Sequence, residues 1–310
     1  MIGKIIAVMV LLAMLVFSVA FFYQSLPGNP VELKTVDIAP ESTGIIYNGA
    51  IPVFADNLRF NHNAISYSIS DNCTDVRRSA MTRAFNIFAE EMGIISFHGV
   101  RSDADIEVKC SDDHIPLGEN LYAAGEGGPS RIINASVFKT IEKGEILLYN
   151  DPRCDYPVVE LHELCHVFGF DHSMDPKNTM YNISKCDQRI SEEMVMLINY
   201  LYSIEAAPDA AITNVEAIKR GRYLDFNVTI LNEGLIGIES INLSIFADGE
   251  FIQDMDFGEI GIGYGRTLRT TGVKLPSKNI ERIDFIVDNK DNVLELREDN
   301  NEAQMILSSQ

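Results

Sequence analysis

Residues 162–172 read HELCHVFGFDH: His162, Glu163, Leu164, Cys165, His166, Val167, Phe168, Gly169, Phe170, Asp171, His172. His162 and His166 stand four apart, so on a helix they share one face and their imidazoles converge on one cation. The surrounding run predicts that helix over about 157–168. Gly169 stops it, because glycine readily takes the left-handed conformation of a C-terminal cap. The chain can then turn and deliver His172 as a third ligand. Three nitrogens leave the fourth tetrahedral position of zinc open to water, the pattern of a catalytic site. Glu163, next to His162, is placed to take a proton from that water as general base. With six His among 310 residues, this arrangement has a chance occurrence on the order of 10⁻⁵ per chain. A purely structural ion site has no need of Glu163.

Around this stretch the pattern is mixed α/β. Residues 64–70 alternate strictly and predict a strand, and Met81, Ala84, Phe85 and Phe88 predict a helix over 78–92. Short strands are expected at 94–98, 104–109, 132–138 and 145–149. The glycine-rich stretch 118–130 reads as an irregular loop or sheet edge. Ser191, followed by Glu192 and Glu193, is expected to cap a last helix whose apolar stripe is Met194, Leu197, Ile198 and Leu201. These elements make a catalytic-size domain over 53–205.

HELCHVFGFDH resembles the extended zinc motif of the metzincin metalloproteases. Met180, eight residues after His172, resembles the Met-turn of that clan, and HSMDPKNTMY (172–181) is most similar to the matrixins. DADIEV (103–108) and the closing helix 191–202 extend the resemblance over about 56–205. It implies a zincin-type fold with a mixed sheet, an active-site helix and a C-terminal helix. It implies one catalytic zinc on His162, His166 and His172, with Glu163 as base and then acid, and Met180 beneath the metal. Tyr181 and the edge 121–130, including Ala123 and Ala124, are candidate substrate contacts. His98 and His114 stand isolated and read as surface residues, not as structural-zinc ligands. Calcium stays open.

The N-terminus carries a different signal. Ile5 to Tyr23 is an uncharged apolar run of nineteen residues, roughly 28 Å as a helix, close to a hydrocarbon core. Ser18-Val19-Ala20 has the form of a cleavage site, but the run continues through Phe21, Phe22 and Tyr23, which favours an uncleaved anchor. Lys4 places the N-terminus in the cytoplasm. The expected location is the cell surface, with an extracytoplasmic catalytic domain on a single-pass anchor; the alternative is secretion after signal cleavage. Five Asn-x-Ser/Thr sequons, at Asn72, Asn134, Asn182, Asn227 and Asn242, exceed the roughly two expected by chance and agree with export. Export permits disulfides, and five Cys leave one thiol over. Cys165, on the metal helix, is the natural leftover. The other four allow three pairings, of which Cys73–Cys110 and Cys154–Cys186 are expected.

The chain holds 45 acidic and 25 basic side chains, a formal charge of −20, with 46% hydrophobic residues. That hydrophobic content excludes disorder throughout, and one apolar run excludes a polytopic membrane protein. The acidity argues against nucleic acid and against docking on anionic lipid through a basic face. Residues 24–52 read as a linker, from Pro, Gly, Ser and mixed charge without periodicity.

After Pro208 no helical period remains. Alternating stretches at 224–231, 241–246, 266–273, 282–287 and 293–296 predict an all-β, immunoglobulin-like sandwich over 208–310. VTILNEG (228–234) and VDNKDNVLELREDNN (287–301) resemble the CARDB-type adhesion-related sandwich, which implies a domain able to bind a surface partner. The acidic run Asp288, Asp291, Glu295, Glu298 and Asp299 is a candidate calcium loop, against the plainer reading of a solvated turn. The expected function is an exported zinc endopeptidase acting on protein or peptide substrates. The alternative is a cell-surface adhesion protein with a vestigial zinc domain.

Overall fold

The computed structural model describes residues 2–25, 30–38, 51–118 and 121–307. Helix α1 spans Ile2–Ser25, and its side chains are described for 9–22. Among the described residues no helix is long and apolar enough to cross a membrane. The anchor expected over Ile5–Tyr23 extends past the described side chains at both ends. The chain divides into two compact units, one of 41–208 with 233–236, the other of 1–40, 209–232 and 237–310.

The first unit is a mixed α/β layer. Its elements are β2 (Leu58–Arg59), β3 (Ala64–Ile69), α2 (Asp75–Met92), β4 (Ser96–Gly99), β5 (Ile106–Cys110), β6 (Pro116–Gly118), β7 (Leu121–Tyr122), β8 (Gly125–Ala135), β9 (Phe138–Leu148), α3 (Val158–Val167) and α4 (Glu192–Ser203). The main sheet runs β2-β9-β5-β3-β4 with parallel neighbours, and β8 adds antiparallel to β9. Strand β1, described below, belongs to the other unit.

Helix α2 shows why these residues fold locally. Thr74 accepts from the Arg77 N–H at 3.2 Å as N-cap, three residues earlier than the apolar period alone starts the helix. Gly93 closes it in the left-handed conformation, φ 69°. The face Ala80, Met81, Ala84, Phe85, Phe88 is fully buried. Phe88 stacks on Phe168 with centroids 4.6 Å apart, so the end of α3 is packed into the aromatic core. Ser191 occupies the N-cap position of α4, but its side chain makes no capping bond. Its hydroxyl oxygen is instead buried without a partner. At the other end Arg59 donates to the Ile204 carbonyl at 2.8 Å and to the Leu201 carbonyl, closing α4 in place of a glycine cap.

Disulfides join Cys73 to Cys110 and Cys154 to Cys186, and Cys165 is a buried free thiol. The first ties the start of α2 to the end of β5. The second ties the approach to α3 to the segment beyond Met180.

The glycine-rich stretch is not an irregular loop throughout. Gly125 onward is strand β8, and the two short strands expected at 132–138 and 145–149 are one long hairpin, Gly125–Ala135 with Phe138–Leu148.

The second unit is an antiparallel sandwich. Its strands are β1 (Pro30–Ile38), β10 (Ala210–Arg220), β11 (Tyr223–Asn232), β12 (Asn242–Ala247), β13 (Glu250–Asp256), β14 (Gly265–Lys274), β15 (Arg282–Val287) and β16 (Glu302–Leu307). Pairing runs β13-β12-β15-β16-β1-β10-β11-β14. β11 alternates intermediate and buried residues along its whole length, the period-2 pattern of a strand with one face in a core. Phe226 and Phe285 meet with centroids 5.1 Å apart inside that core.

Two expectations fail here. The reading of 24–52 as a linker does not hold for 30–38: these residues are a strand at the middle of the pairing order. Residues 30–32 pair with β10, while 33–38 pair with β16, so β1 passes from one sheet to the other. Leu33 is buried in the shared core. Residues 26–29 and 39–50 of the expected linker lie outside the described residues. The strand expected at 293–296 is irregular chain, and the pairing role falls to β16 instead. Along 293–296 Leu294 is exposed while Glu295 is buried, so burial there follows the packing of the loop and not the alternation of a strand.

Candidate metal centre

Helix α3 carries His162, Glu163 and His166, and the chain reverses just beyond it. Gly169 has φ 92°, its N–H reaches the His166 carbonyl at 3.0 Å, and the Phe170 N–H reaches the Cys165 carbonyl at 3.2 Å. A β-carbon at Gly169 would lie 2.9 Å from Leu58 Cδ2, so both backbone and space demand glycine. This turn brings His172 back to the helix. The Nε2 atoms of His162 and His172 stand 3.2 Å apart, those of His162 and His166 3.1 Å. All three ligand nitrogens lie within 4.8 Å of one another.

The outer nitrogens explain the orientation. His162 Nδ1 is 2.7 Å from the Thr179 carbonyl, and His166 Nδ1 is 2.8 Å from the Phe170 carbonyl. A carbonyl only accepts, so each Nδ1 carries the proton and each Nε2 presents a lone pair. Nitrogen lone pairs facing each other at this distance repel unless something positive lies between them. Two nitrogens on one tetrahedral zinc stand roughly 3.3 Å apart, close to the spacing here. Burial lowers His162 to about 4, with His166 and His172 adding to the shift, so the neutral, metal-binding imidazole is its resting form. The donor set, spacing and tautomers therefore fit zinc.

The turn at 178–181 braces this arrangement. Met180 is fully buried. Its N–H donates to Asn178 Oδ1 at 2.8 Å, and its carbonyl accepts from the Ser173 N–H at 2.8 Å, next to His172. The preceding residue supplies the carbonyl that orients His162. Tyr181 is half-buried, with the Lys185 ammonium 5.8 Å from its ring centroid. Cys154 is in a disulfide and so is no zinc thiolate. His98 and His114 are exposed.

Glu163 is buried against strand β8. Burial, with Glu126 and then Glu160 adding like charge, pushes its carboxyl up to about 8. A bound dication would act in the opposite direction by favouring the carboxylate. A β-carbon on Gly125 would come within 2.8 Å of Glu163 Cγ, and one on Gly127 within 2.3 Å of the Glu163 carbonyl oxygen. These glycines were missed as site residues. The run GEGG has low strand propensity, and its signal is legible only once α3 is known to lie against it. We expect Gly127→Ala to destabilise the protein by about 1–3 kcal/mol through overpacking against backbone. Gly128, where a β-carbon meets nothing within 4 Å, should tolerate Ala within about 0.5 kcal/mol. Urea unfolding of the two variants checks the contrast; equal effects would mean the close approach is not rigid.

The candidate substrate residues Ala123 and Ala124 sit just before β8. The Ala123 N–H donates to the Ile115 carbonyl at 2.9 Å, and its carbonyl accepts from Asn150 Nδ2 at 3.3 Å. The Ala124 carbonyl accepts from the Tyr149 N–H at 3.0 Å. These backbone groups are therefore engaged within the protein. β8 itself pairs with β9 along one edge only among the described residues.

Comparison with known proteins agrees with both units. Residues 59–203 match the family model Matrixin, and residues 207–305 match the model CARDB. The chain is a matrixin-like domain of metallopeptidase type followed by a CARDB-like β-sandwich. No curated protein matches it. Among solved structures, the CARDB domain of a Pyrococcus furiosus protein in complex with di-metal ions is 20% identical, with a TM-score of 0.27, covering 33% of this chain and 88% of that one. The solution structure of that CARDB domain gives 20% and 0.27, covering 33% and 95%. A domain from Methanosarcina acetivorans gives 17% and 0.28, covering 34% and 94%.

Proposed function

We propose that this chain is an exported, membrane-anchored zinc endopeptidase. The observation that carries the reading is the convergence of three Nε2 atoms beside a buried glutamate, with two of the imidazoles oriented from behind by backbone carbonyls. His162, His166 and His172 would hold the metal. Zinc held there supplies a Lewis acid for the scissile carbonyl and acidifies a water. Glu163 takes the proton of the attacking water on its carboxylate. It then delivers that proton to the amine nitrogen as the C–N bond breaks. The substrate lies extended along the free edge of β8, near Ala123 and Ala124, and its backbone pairs as an added strand, with Tyr181 as a further contact. Calcium has no part in this reading of the catalytic unit.

Export is supported by the two disulfides and the five sequons. Anchoring is supported by the absence of any charged residue between Ile5 and Ser25. The CARDB-like unit would face outward and meet a surface partner.

The decisive test incubates the purified chain with a random peptide library, with and without a chelator. Cleavage that the chelator stops and added zinc restores supports the proposal. A zinc-loaded chain that cuts nothing would favour a vestigial, adhesive role. The ligand set has its own check: metal analysis should find one zinc per chain and near-complete loss in His166→Ala. Full occupancy in that variant would remove the assignment.

A further inference from the structure

The loop between β15 and β16, residues 288–301, buries Asp288 and Glu295 of its acidic run, Glu295 against the start of β10, and leaves Asp291, Glu298 and Asp299 exposed. Asp209, Asp288, Glu295, Asn300 and Asn301 are each more than nine-tenths buried. Glu295 accepts from the Ala210 N–H through Oε2 and from Asn301 Nδ2, at 3.2 Å, through Oε1. The same Asn301 nitrogen donates to Glu298 Oε2 at 3.0 Å, and Asn300 Nδ2 donates to Asp209 Oδ1 at 2.7 Å. Both amide heads therefore lie among carboxylates. Yet Oδ1 of Asn300 and Oδ1 of Asn301 are buried and accept from nothing.

What this place lacks is uniform. Its unmet groups are oxygen acceptors, and its buried charges, Asp209, Asp288 and Glu295, have one sign. Among the described residues no Lys or Arg pairs with Glu295, and the nearby Arg297 pairs with Asp299 at 2.8 Å. Burial, with Glu298, Asp209 and Asp288 adding like charge, pushes Glu295 up to about 7. Buried carboxylates persist when they are paired or when they coordinate a metal. A hard dication takes carboxylate and amide oxygens together, whereas a softer metal seeks imidazole or thiolate, and none lies in this loop. Among the described residues the His triad is the one group of three or more His, Cys, Asp or Glu that could hold an ion. A cation in this loop therefore needs the amide oxygens to complete its shell.

We propose that residues 288–301 and the start of β10 form a calcium site, in which the amide heads of Asn300 and Asn301 turn so that their oxygens replace their nitrogens beside the carboxylates, with Glu295, Glu298 and those two amide oxygens as its protein ligands. The backbone of these residues says what the ion would do. The Asn300 carbonyl accepts from the Ile212 N–H at 3.0 Å, and the Asn301 carbonyl from the Val287 N–H at 2.8 Å. An ion on their side chains would lock the loop to β10 and β15 at once. The sandwich would then be stiffened by the calcium of an extracytoplasmic medium.

The test uses the full chain, freed of calcium on a chelating resin and reloaded with zinc. Calcium bound per chain is measured by equilibrium dialysis and thermal unfolding is followed in parallel. The parent should bind one calcium more than Glu295→Gln, and its sandwich transition should rise with calcium while that of the variant stays put. Without calcium, Glu295→Gln should melt no lower than the parent, because it removes a buried charge. Glu298→Gln, at an exposed position, should weaken calcium binding at least tenfold and serves if the first variant does not fold. Equal calcium stoichiometry and affinity in the parent and the folded variants would overturn the proposal.

Discussion

Replacing Glu163 by Gln should lower peptide cleavage by about 10²–10⁴-fold, the usual scale for losing a general base, while zinc stays at one per chain. Gln keeps the shape that the missing side chain of Gly125 accommodates, so the β8–α3 contact survives. It removes a carboxyl that burial and the Glu126 and Glu160 charges already hold high, so the variant should be no less stable than the parent. The three imidazoles and the carbonyls of Thr179 and Phe170 behind two of them are untouched. Comparing kcat/KM on a fluorogenic peptide with the zinc content of the same sample checks both halves. Unchanged kcat/KM would show that Glu163 moves no proton in the limiting step. Joint loss of zinc and activity would make it a structural support of the metal.

The second large effect concerns β1. Residues 207–310 expressed without it should melt far lower than the same segment with 30–38 restored. Three residues of β1 pair with β10 and five with β16, so removal bares an edge on each sheet at once. Leu33 leaves the core as well. Truncating that residue alone, as Leu33→Ala in the full chain, should cost about 2–5 kcal/mol. The loss should appear in the sandwich transition and leave zinc binding intact. Circular dichroism melts of the segment alone, and of the segment with a synthetic 30–38 peptide added, give a direct reading. A cooperative transition that the peptide does not raise would show that β1 is dispensable.

The convergence of His162, His166 and His172 was legible in the residues because it is local. Four positions along a helix set His162 and His166 on one face, and Gly169 admits the left-handed turn that returns His172. The burial of α2 was legible for the same reason, since a 3.6-residue period needs no distant partner to be read. Cys165 as the odd thiol followed from counting and from its place between ligand positions. The pairing of the remaining cysteines was an open choice among three until the ends of β5 and α2, and the flanks of α3 and the Met-turn, were brought together in space.

Tertiary structure alone decided the rest. Pro30–Ile38 has no alternation strong enough to announce a strand, and its partners lie about 190 and 270 residues further along the chain. GEGG looks like a loop by propensity, yet it is a strand because α3 passes so close that a β-carbon at 125 or 127 would collide with Glu163. Alternation at 293–296 looked like a strand, yet β16 took the ladder, and two acidic residues of that loop, Asp288 and Glu295, turned inward while Asp291, Glu298 and Asp299 stayed exposed. In each case the backbone's hydrogen-bonding partner, or the atom that excludes a side chain, comes from a distant part of the chain. A local pattern of polar and apolar residues reports which face meets the core, but it carries no information about which segment will be lying there.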